Sequence, residues 1–304
     1  MRITKKFMSI CLSACLTLPL ISGIPQMPES DAAFDTNNTY AYDDDLVMRY
    51  TKSAGNVNTN NAFNNNESFY KALPIGNGRI GGMVYGNCPD ELIDLNECTV
   101  WSSGPSNNNK DGAANYLKEA QNLLKDGKYK SANDLIRSRM IGGGEAKYQM
   151  VGGLKLSFGH KNVSDYTRSL DMNDAVARTE YSCNGVKYTR ETFVSYPDQV
   201  MVTRITANKS GAVSMSLGYE NVLNGGVSTD GNDTLVANGH GSDDNWVKGA
   251  VYFSSRSKVI PESGTVSAGN GSINVSGADS VMILCELTDR IQNMKKGVKS
   301  LKNA

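Results

Sequence analysis

The alternation of apolar and polar residues divides the chain into a short helical region and a long region of strands. The segment GAANYLKEAQNLLKDG places apolar side chains at helical spacing, and Gly127 follows where a helix C-terminus belongs. The next segment, KYKSANDLIRSRM, repeats this spacing. The pattern therefore predicts two short helices near residues 112–140.

Nearly all of the chain after Gly152 alternates with the period of a half-buried β-strand. In TEYSCNGVKYTRETFVS, the pair Asn184-Gly185 separates two alternating runs, which is a strong signal for a two-residue hairpin. Further runs, among them QVMVTRITA, WVKGAVYFSSRSKV and SVMILCELT, follow at short intervals without helices between them. Such spacing predicts a mainly β fold, a large antiparallel β-sandwich in which the two helices are an insertion.

The N-terminus has the pattern of an export signal. Three basic residues precede the apolar run FMSICLSACLTLPLISGI, which is short and serine-containing for a membrane-spanning helix. We expect a signal peptide over residues 1–32, with cleavage after Ala41 as an alternative. The segment LSAC ending at Cys15 also resembles a lipoprotein cleavage site, but strongly apolar residues follow it. A secreted or cell-surface location is the expectation.

Residues 33–66 are rich in Asn and Asp and predict a flexible extension that contains one early strand, around LVMRYTK. The 31 basic and 31 acidic residues of the 304-residue chain cancel, so nothing in the charge favours nucleic acid or a membrane surface as a partner. His160 and His240 stand alone, without ligand spacing to other residues, so neither a metal nor a cofactor is expected.

Four cysteines lie outside the predicted signal peptide and show no CxxC spacing. They allow three disulfide pairings, among which the sequence does not choose. We interpret them as small buried apolar residues rather than a metal or redox site. They are Cys88, Cys98, Cys183 and Cys285.

The segment LPIGNGRIGGMVYG contains the spacing G-x-G-x-x-G of nucleotide-binding loops. A dinucleotide loop needs a helix after the glycines, whereas the β-prone MVYG follows them here, and no P-loop Lys-Ser/Thr is present. The context therefore excludes a nucleotide and predicts a strand–turn–strand unit. In it the glycines permit tight turns and close sheet packing; they are Gly76, Gly78, Gly81 and Gly82.

Several linked motifs resemble the N-terminal domain of glycoside hydrolase family 95, which is best known for α-L-fucosidases that act on α-1,2-linked fucose. They are ALPIGNGRIGGMVYG, ELIDLNECTVWSSGP, DGKYKSANDLIRSRM with YQMVGGLKLSF, and SDYTRSLDMNDAVARTEYSCNGVKYTRETFVSYPDQVMVTRITA. The resemblance covers about Glu67 to Thr288. Cys98 stands where the family usually has Asp, Ser103 replaces a Gly, and MVGG replaces the usual P-L-G-D.

The resemblance implies an inverting hydrolase whose catalytic groups lie in an (α/α)₆ barrel that follows the sandwich. Twelve helices of about 11 residues would need roughly 130 residues, whereas only 16 residues follow Thr288 in the 304-residue chain. We therefore expect a sandwich domain over 67–290 and a truncated linker or tail over 291–304. The barrel is expected to be missing or encoded separately, and the chain alone to be inactive, with no catalytic residue of its own. The alternative hypothesis is a free-standing carbohydrate-binding or adhesion-like module, with fucosylated glycans as possible partners.

The segment ELIDLNE carries three carboxylates, Glu91, Asp94 and Glu97. On a strand, Glu91 and Glu97 share one face but lie roughly 20 Å apart, whereas paired hydrolytic carboxylates lie roughly 5–10 Å apart. They are therefore not a catalytic pair.

Polar and aromatic residues meet at the end of this segment and form the candidate site. They are Asn96, Glu97, Thr99 and Trp101. Three interpretations stand side by side: the group braces a domain junction; it satisfies turn backbone, with Trp101 in the core; or it contacts sugar at the junction. Trp246 is a further candidate for stacking on a sugar ring, with a loop-anchoring or core role as its alternative.

Overall fold

The computed structural model describes residues 46–55, 67–105, 109–142, 146–244 and 247–291. The predicted signal peptide and Trp246 lie outside these residues. In chain order the strands are β1 (Val47–Tyr50), β2 (Leu73–Gly76), β3 (Ile80–Val84), β4 (Glu91–Glu97), β5 (Gly152–Ser157), β6 (Val163–Asp171), β7 (Val176–Cys183), β8 (Val186–Ser195), β9 (Val200–Ala207), β10 (Val213–Glu220), β11 (Gly226–Asp230), β12 (Thr234–His240), β13 (Val251–Glu262), β14 (Thr265–Gly269), β15 (Ser272–Ala278) and β16 (Ser280–Ile291).

The strands form two sheets in which every strand pair is antiparallel. One sheet has nine strands in the order β1-β6-β7-β8-β9-β16-β13-β12-β11, and the other has seven in the order β14-β15-β10-β5-β4-β3-β2. The predicted antiparallel β-sandwich is confirmed. Its main core lies between the sheets, where fully buried side chains of β4, such as Ile93 and Leu95, pack with those of β9 and β16, such as Ile205 and Leu287.

Both local predictions from the sequence pattern are confirmed. Asn184 and Gly185 join β7 to β8 with φ angles of 51° and 75°, and two positive φ values are what a type I′ hairpin turn requires. The helices are α1 (Glu67–Lys71), a 3₁₀ turn (Ala113–Tyr116), α2 (Leu117–Lys125) and α3 (Tyr129–Arg139). Thus α2 and α3 are the two inserted helices, and each buries one alanine, Ala120 or Ala132.

Strand β1 forms the edge of the nine-stranded sheet and pairs with β6 from Val47↔Asp171 to Tyr50↔Arg168. It is the early strand expected within 33–66. This strand is therefore part of the sandwich, although its sequence lies in the segment assigned to the extension. No helix among the described residues is long and apolar enough to cross a membrane.

Candidate functional site

The candidate site lies where β4 ends and the chain turns toward Trp101. On the last residues of β4, Asn96 is half-buried opposite Gly81 of β3, whereas Glu97 is fully buried on the face that carries Ile93 and Leu95. Thr99 follows in a turn, and Trp101 forms an isolated bridge with Tyr148. The structure therefore brings all four predicted residues to one end of the sandwich.

The carboxylate of Glu97 closes the turn that follows it. Its Oε2 accepts hydrogen bonds from the backbone N–H of Thr99 at 2.8 Å and from the Thr99 hydroxyl at 2.5 Å. Its Oε1 lies 3.6 Å from the Arg79 guanidinium and accepts a weak bond from the Cys98 thiol at 3.7 Å. Both oxygens of this buried group are thus occupied, so Glu97 braces the turn and is not presented as a general acid or base.

Arg79 and Asn77 connect this end of the seven-stranded sheet to the other sheet. The Arg79 side chain donates to the Leu287 carbonyl on β16 and to the Gln199 side chain before β9, both at 2.7 Å. Asn77 donates to the Ser195 carbonyl at the end of β8 at 2.9 Å. Arg79 and Asn77 therefore tie the β2–β3 turn to β8, to β16 and to Gln199, which precedes β9, in the opposite sheet.

The glycine-rich segment is the β2–β3 hairpin, which leads from one antiparallel strand into another. Gly78 has a φ of 92° in its turn, a conformation that favours glycine. Gly76 and Gly81 pair across the hairpin. A Cβ on Gly82 would lie within 3.3 Å of three core side chains, including Met201 Sδ, so its lack of a side chain permits close packing of the two sheets.

Trp101 and Tyr148 form an aromatic pair on the surface above the braced turn. Their ring centroids are 5.5 Å apart with an angle of 59° between the rings, and the two side chains are 42% and 43% exposed. The Trp101 indole N–H donates to the Cys98 carbonyl at 2.9 Å, which fixes the ring orientation. Trp101 is therefore a surface side chain, and its core interpretation is wrong.

A polar network holds the strand segments beneath this pair. The Lys147 ammonium lies 2.8 Å from Asp244, which also accepts a hydrogen bond from the Ser102 hydroxyl at 3.1 Å. Gln149 and Ser242 exchange two hydrogen bonds of 2.7 and 3.0 Å. These contacts fix Ser242 and Asp244 against the Trp101–Tyr148 bridge, so the aromatic pair lies on a well-connected support.

The Glu97 carboxylate affects the pKa values of two neighbouring groups at this end of the sandwich. Burial, and then the Glu97 carboxylate, raise the pKa of the Cys98 thiol and of the Tyr148 phenol. Both groups are therefore held in their neutral form near neutral pH. A neutral Cys98 thiol is a poor nucleophile, which disfavours a chemical role for this exposed cysteine.

The other two carboxylates of ELIDLNE, Glu91 and Asp94, are buried. The Glu91 carboxylate lies 3.3 Å from the buried Arg190 guanidinium and accepts backbone N–H bonds from Asn87 and Leu92. Asp94 accepts a 2.7 Å hydrogen bond from the buried Tyr85 hydroxyl, on the opposite side of β4. Each carboxylate has a separate partner, and no two of the three converge on a common space.

The two histidines and four cysteines have structural surroundings. His160 packs among Phe158, Tyr181 and Tyr188, and His240 packs on Tyr252. No group of His, Cys, Asp and Glu among the described residues could hold a metal ion. All four cysteines are free thiols: Cys183 and Cys285 are buried, Cys88 is half-buried and Cys98 is exposed. The buried interpretation is thus confirmed for two of them.

Comparison with known proteins identifies the domain. Residues 48–293 match the family described as "Glycosyl hydrolase family 65, N-terminal domain". The chain belongs to this family. A structural comparison also matches a "Putative kojibiose phosphorylase from human microbiome" over 81% of this chain and 32% of that one, at 8% identity and a TM-score of 0.42.

Three curated relatives of this glycosyl hydrolase N-terminal domain have names that refer to fucosidases. The chain is 35% identical over 156 residues to "Alpha-L-fucosidase 2" of Arabidopsis thaliana, a match that covers 50% of this chain and 18% of the relative. It is 30% and 32% identical to "Probable alpha-fucosidase A" of Aspergillus niger and Aspergillus oryzae, over 50% and 45% of this chain and 20% of each relative. The matches therefore span about a fifth of each relative.

Sequence reasoning missed the partners that give the site its shape. The predicted candidate site does not include Arg79, Gln199 or Tyr148. Arg79 lies in the glycine-rich motif and Tyr148 in YQMVGG, so both stood in segments that carried the resemblance. What the sequence did not reveal was their position next to Glu97 and Trp101.

Proposed function

We propose that this chain is the N-terminal domain of an exported glycoside hydrolase of the α-L-fucosidase type, of family 95, and that it supports and docks a catalytic domain. The substrate class we propose is the α-1,2-linked L-fucoside of complex glycans. The fucosidase relatives support the activity, and the basic and apolar N-terminus supports export. The docking role rests on the end of the sandwich that carries Glu97, Thr99, Trp101 and Tyr148, which we call the Trp101 end.

The observation that supports the docking role is the exposed pair of Trp101 and Tyr148. The polar groups beneath this pair are hydrogen-bonded to one another. Aromatic side chains are enriched at protein interfaces, where they supply large contact areas with little loss of conformational entropy. A fixed, half-exposed Trp–Tyr pair has this character. Glu97 and Arg79 beneath it are bound internally, so the pair presents its rings rather than charge.

The position of the pair also suits a junction. Arg79 contacts both the Glu97 carboxylate and the Leu287 carbonyl. The end of β4 therefore lies close to the last third of β16, which ends at Ile291. Strand β16 therefore runs toward the end of the sandwich that carries the aromatic pair. In the relatives, about four fifths of the length lies outside the matched part. A following domain would meet this surface first.

The described residues favour support over catalysis. Hydrolysis of a glycosidic bond normally requires two carboxyl groups on either side of one bond. Among ELIDLNE residues, Glu91, Asp94 and Glu97 are buried and bound to three separate partners, Arg190, Tyr85 and Thr99. The proposed chemistry is therefore assigned to the catalytic domain that this sandwich supports.

Two measurements test this function. First, the purified chain is assayed with a fluorogenic α-L-fucoside, and we expect no turnover above buffer. Second, residues 46–291 replace the whole N-terminal sandwich domain of the Arabidopsis relative, and we expect the exchange enzyme to fold and to hydrolyse α-1,2-fucosylated lactose. Turnover by the chain alone would contradict the supporting role. A folded exchange enzyme without activity would contradict the proposed pairing with a fucosidase catalytic domain.

A further inference from the structure

The helices α2 and α3 form a hairpin that is inserted between Trp101 and Tyr148. These two residues form an isolated bridge, and the Ser102 N–H donates to the Lys147 carbonyl at 2.8 Å, so the two ends of the insertion are held together. Six residue steps separate Ile141, just after α3, from Lys147. Because an extended chain spans at most about 3.6 Å per residue, the end of α3 lies within about 22 Å of Lys147 at the Trp101 end.

The hairpin packs mainly on itself. Residues 126–128 join α2 to α3, and each helix buries one alanine, Ala120 or Ala132. At the open end of the hairpin, the Arg139 guanidinium carbon lies 5.7 Å from the ring centroid of Tyr116. The contacts join α2, α3 and the preceding 3₁₀ turn, whereas contacts with the strands are few. Two buried alanines cover little of the apolar surface that the helices carry.

The larger apolar side chains of the hairpin are therefore exposed. Leu117 and Leu124 of α2 are 49% and 45% exposed, and Tyr129 of α3 is 70% exposed. Leu117 and Leu124 are seven residues apart, so they lie within about 20° of each other around the helix axis. Ile141, just after α3, is 54% exposed. A helix with such an apolar stripe normally buries it against another element, and this stripe is open.

The hairpin also carries a positive charge. Residues 117–139 include six basic and three acidic residues, whereas the whole chain has equal numbers of each. Two of the three acids are already paired, since Asp126 lies 3.1 Å from Lys128 and Asp134 lies 2.9 Å from Lys130. A complementary partner surface is therefore apolar with acidic groups around it. Two copies joined hairpin to hairpin by a two-fold axis would instead bring like charges together.

We infer that the α2–α3 hairpin is an arm that docks on the catalytic domain through Leu117, Leu124 and Tyr129 and extends the interface at the Trp101 end. This inference rests on the proposed function, which supplies the partner. The insertion begins and ends at the aromatic pair, its charge disfavours a second hairpin, and about four fifths of each relative's length lies outside the matched part. The surface that receives the arm is apolar with an acidic margin.

Hydrogen–deuterium exchange of the hairpin amides tests the arm. Mass spectrometry follows peptides that cover residues 117–139 in the purified chain and in the exchange enzyme that carries residues 46–291. We expect these amides to exchange at least about tenfold more slowly in the exchange enzyme, because docking opposes local opening of the helices. A tenfold difference corresponds to about 1.4 kcal/mol of opening free energy.

The variant Leu117→Ala/Leu124→Ala should remove most of this difference, since alanine keeps the helix propensity but not the apolar contact. Glu119→Ala/Asn122→Ala is the matched control, because both residues are exposed and lie on the other side of α2, roughly 140–200° from Leu117. The control should keep the full difference between the two proteins. Circular dichroism verifies folding, and if the leucine variant does not fold, Tyr129→Ala decides.

Equal exchange in the chain and the exchange enzyme, or a difference that survives Leu117→Ala/Leu124→Ala, would overturn the inference. Protection of the isolated chain that rises with its concentration, or on phosphatidylglycerol vesicles, and is lost in the leucine variant would also overturn it. Such results would assign the leucines to a second copy or to a membrane surface.

Hydrolysis of α-1,2-fucosylated lactose by the exchange enzyme is scored separately. A protected hairpin without turnover would support the arm and contradict the pairing with a fucosidase catalytic domain. Turnover with an unprotected hairpin would support that pairing and overturn the arm. The two proposals therefore fail on different measurements.

Discussion

Glu91 and Glu97 lie on the same face of β4, six residues apart, and both are buried, yet their surroundings differ. Glu91 is paired with the buried Arg190 inside the sandwich. Glu97 is bound by Thr99 and Arg79 directly below the exposed Trp101–Tyr148 pair. The difference teaches that a buried carboxylate does not by itself mark a functional surface. The more informative feature is whether the side chains next to the carboxylate, here Trp101 and Tyr148, are exposed.

The largest expected effect concerns the Glu91–Arg190 pair. Arg190→Met leaves the buried Glu91 carboxyl without its partner, and we expect the free energy of unfolding to fall by about 3–5 kcal/mol. Urea denaturation at neutral pH measures it. The double variant Glu91→Gln/Arg190→Met should regain most of this loss, because no uncompensated charge remains. A single variant within 1 kcal/mol of the unaltered chain would show that the pair does not stabilise the interior.

A smaller loss is expected at the other end of β4. Arg79→Met removes the hydrogen bonds to Leu287 and Gln199 and the contact with Glu97. Because the Arg79 side chain is 31% exposed, water can replace part of what is lost, and we expect about 1–2 kcal/mol. Arg256→Met, which breaks an exposed ion pair, should cost about 0–1 kcal/mol. Equal losses for the two variants would contradict the tie between the sheets.

The interior next to Glu91 should also respond to pH through His160. Burial, and then the Arg190 charge, lower the pKa of His160 below its usual 6.5. The unfolded chain therefore binds a proton that the folded chain does not, and stability present above pH 6.5 is lost as the pH falls through the lowered pKa. We expect this acid-side loss to reach at most about 1 kcal/mol between pH 7.5 and 5.5, since one pKa unit corresponds to 1.36 kcal/mol.

His160→Phe is the variant that isolates this effect. Its unfolding free energy should fall less steeply toward acid than that of the unaltered chain, whatever its absolute stability. Parallel pH profiles for the two proteins, obtained from urea titrations, would contradict the lowered pKa.

Local parts of the fold were predictable because neighbouring residues determine them. The Asn184–Gly185 turn follows from two residues that accept positive φ, and α2 and α3 follow from apolar spacing along their own segments. The order of the strands was not predictable in this way. Strand β16 pairs with β9 and β13, and β9 lies more than 70 residues earlier, so its place depends on packing across the whole sandwich.

The same distinction holds for the candidate site. Asn96, Glu97, Thr99 and Trp101 lie in one segment and were predicted together. Their partners are distant: Arg79 reaches residues 120 and 208 positions away in the sequence. Only the folded register brings them together.

The smallest effect on the sandwich itself should come from the aromatic pair. Trp101→Ala/Tyr148→Ala removes half-exposed rings, so we expect the unfolding free energy of the isolated chain to change by no more than about 0.5 kcal/mol for each ring. A similarly small change is expected for Tyr196→Ala. A large loss in the isolated chain would show that the pair serves the core rather than an interface.

Thermal unfolding of the exchange enzyme, in which residues 46–291 replace the whole N-terminal sandwich domain of the Arabidopsis relative, tests the docking role most directly. With Trp101→Ala/Tyr148→Ala, the sandwich should lose at least about 1 kcal/mol of stabilisation by the catalytic domain, accompanied by lower fucosidase turnover. Tyr196→Ala should leave both quantities unchanged. Equal stability and turnover in all three proteins would contradict the claim that the Trp101 end is where this sandwich meets its catalytic domain.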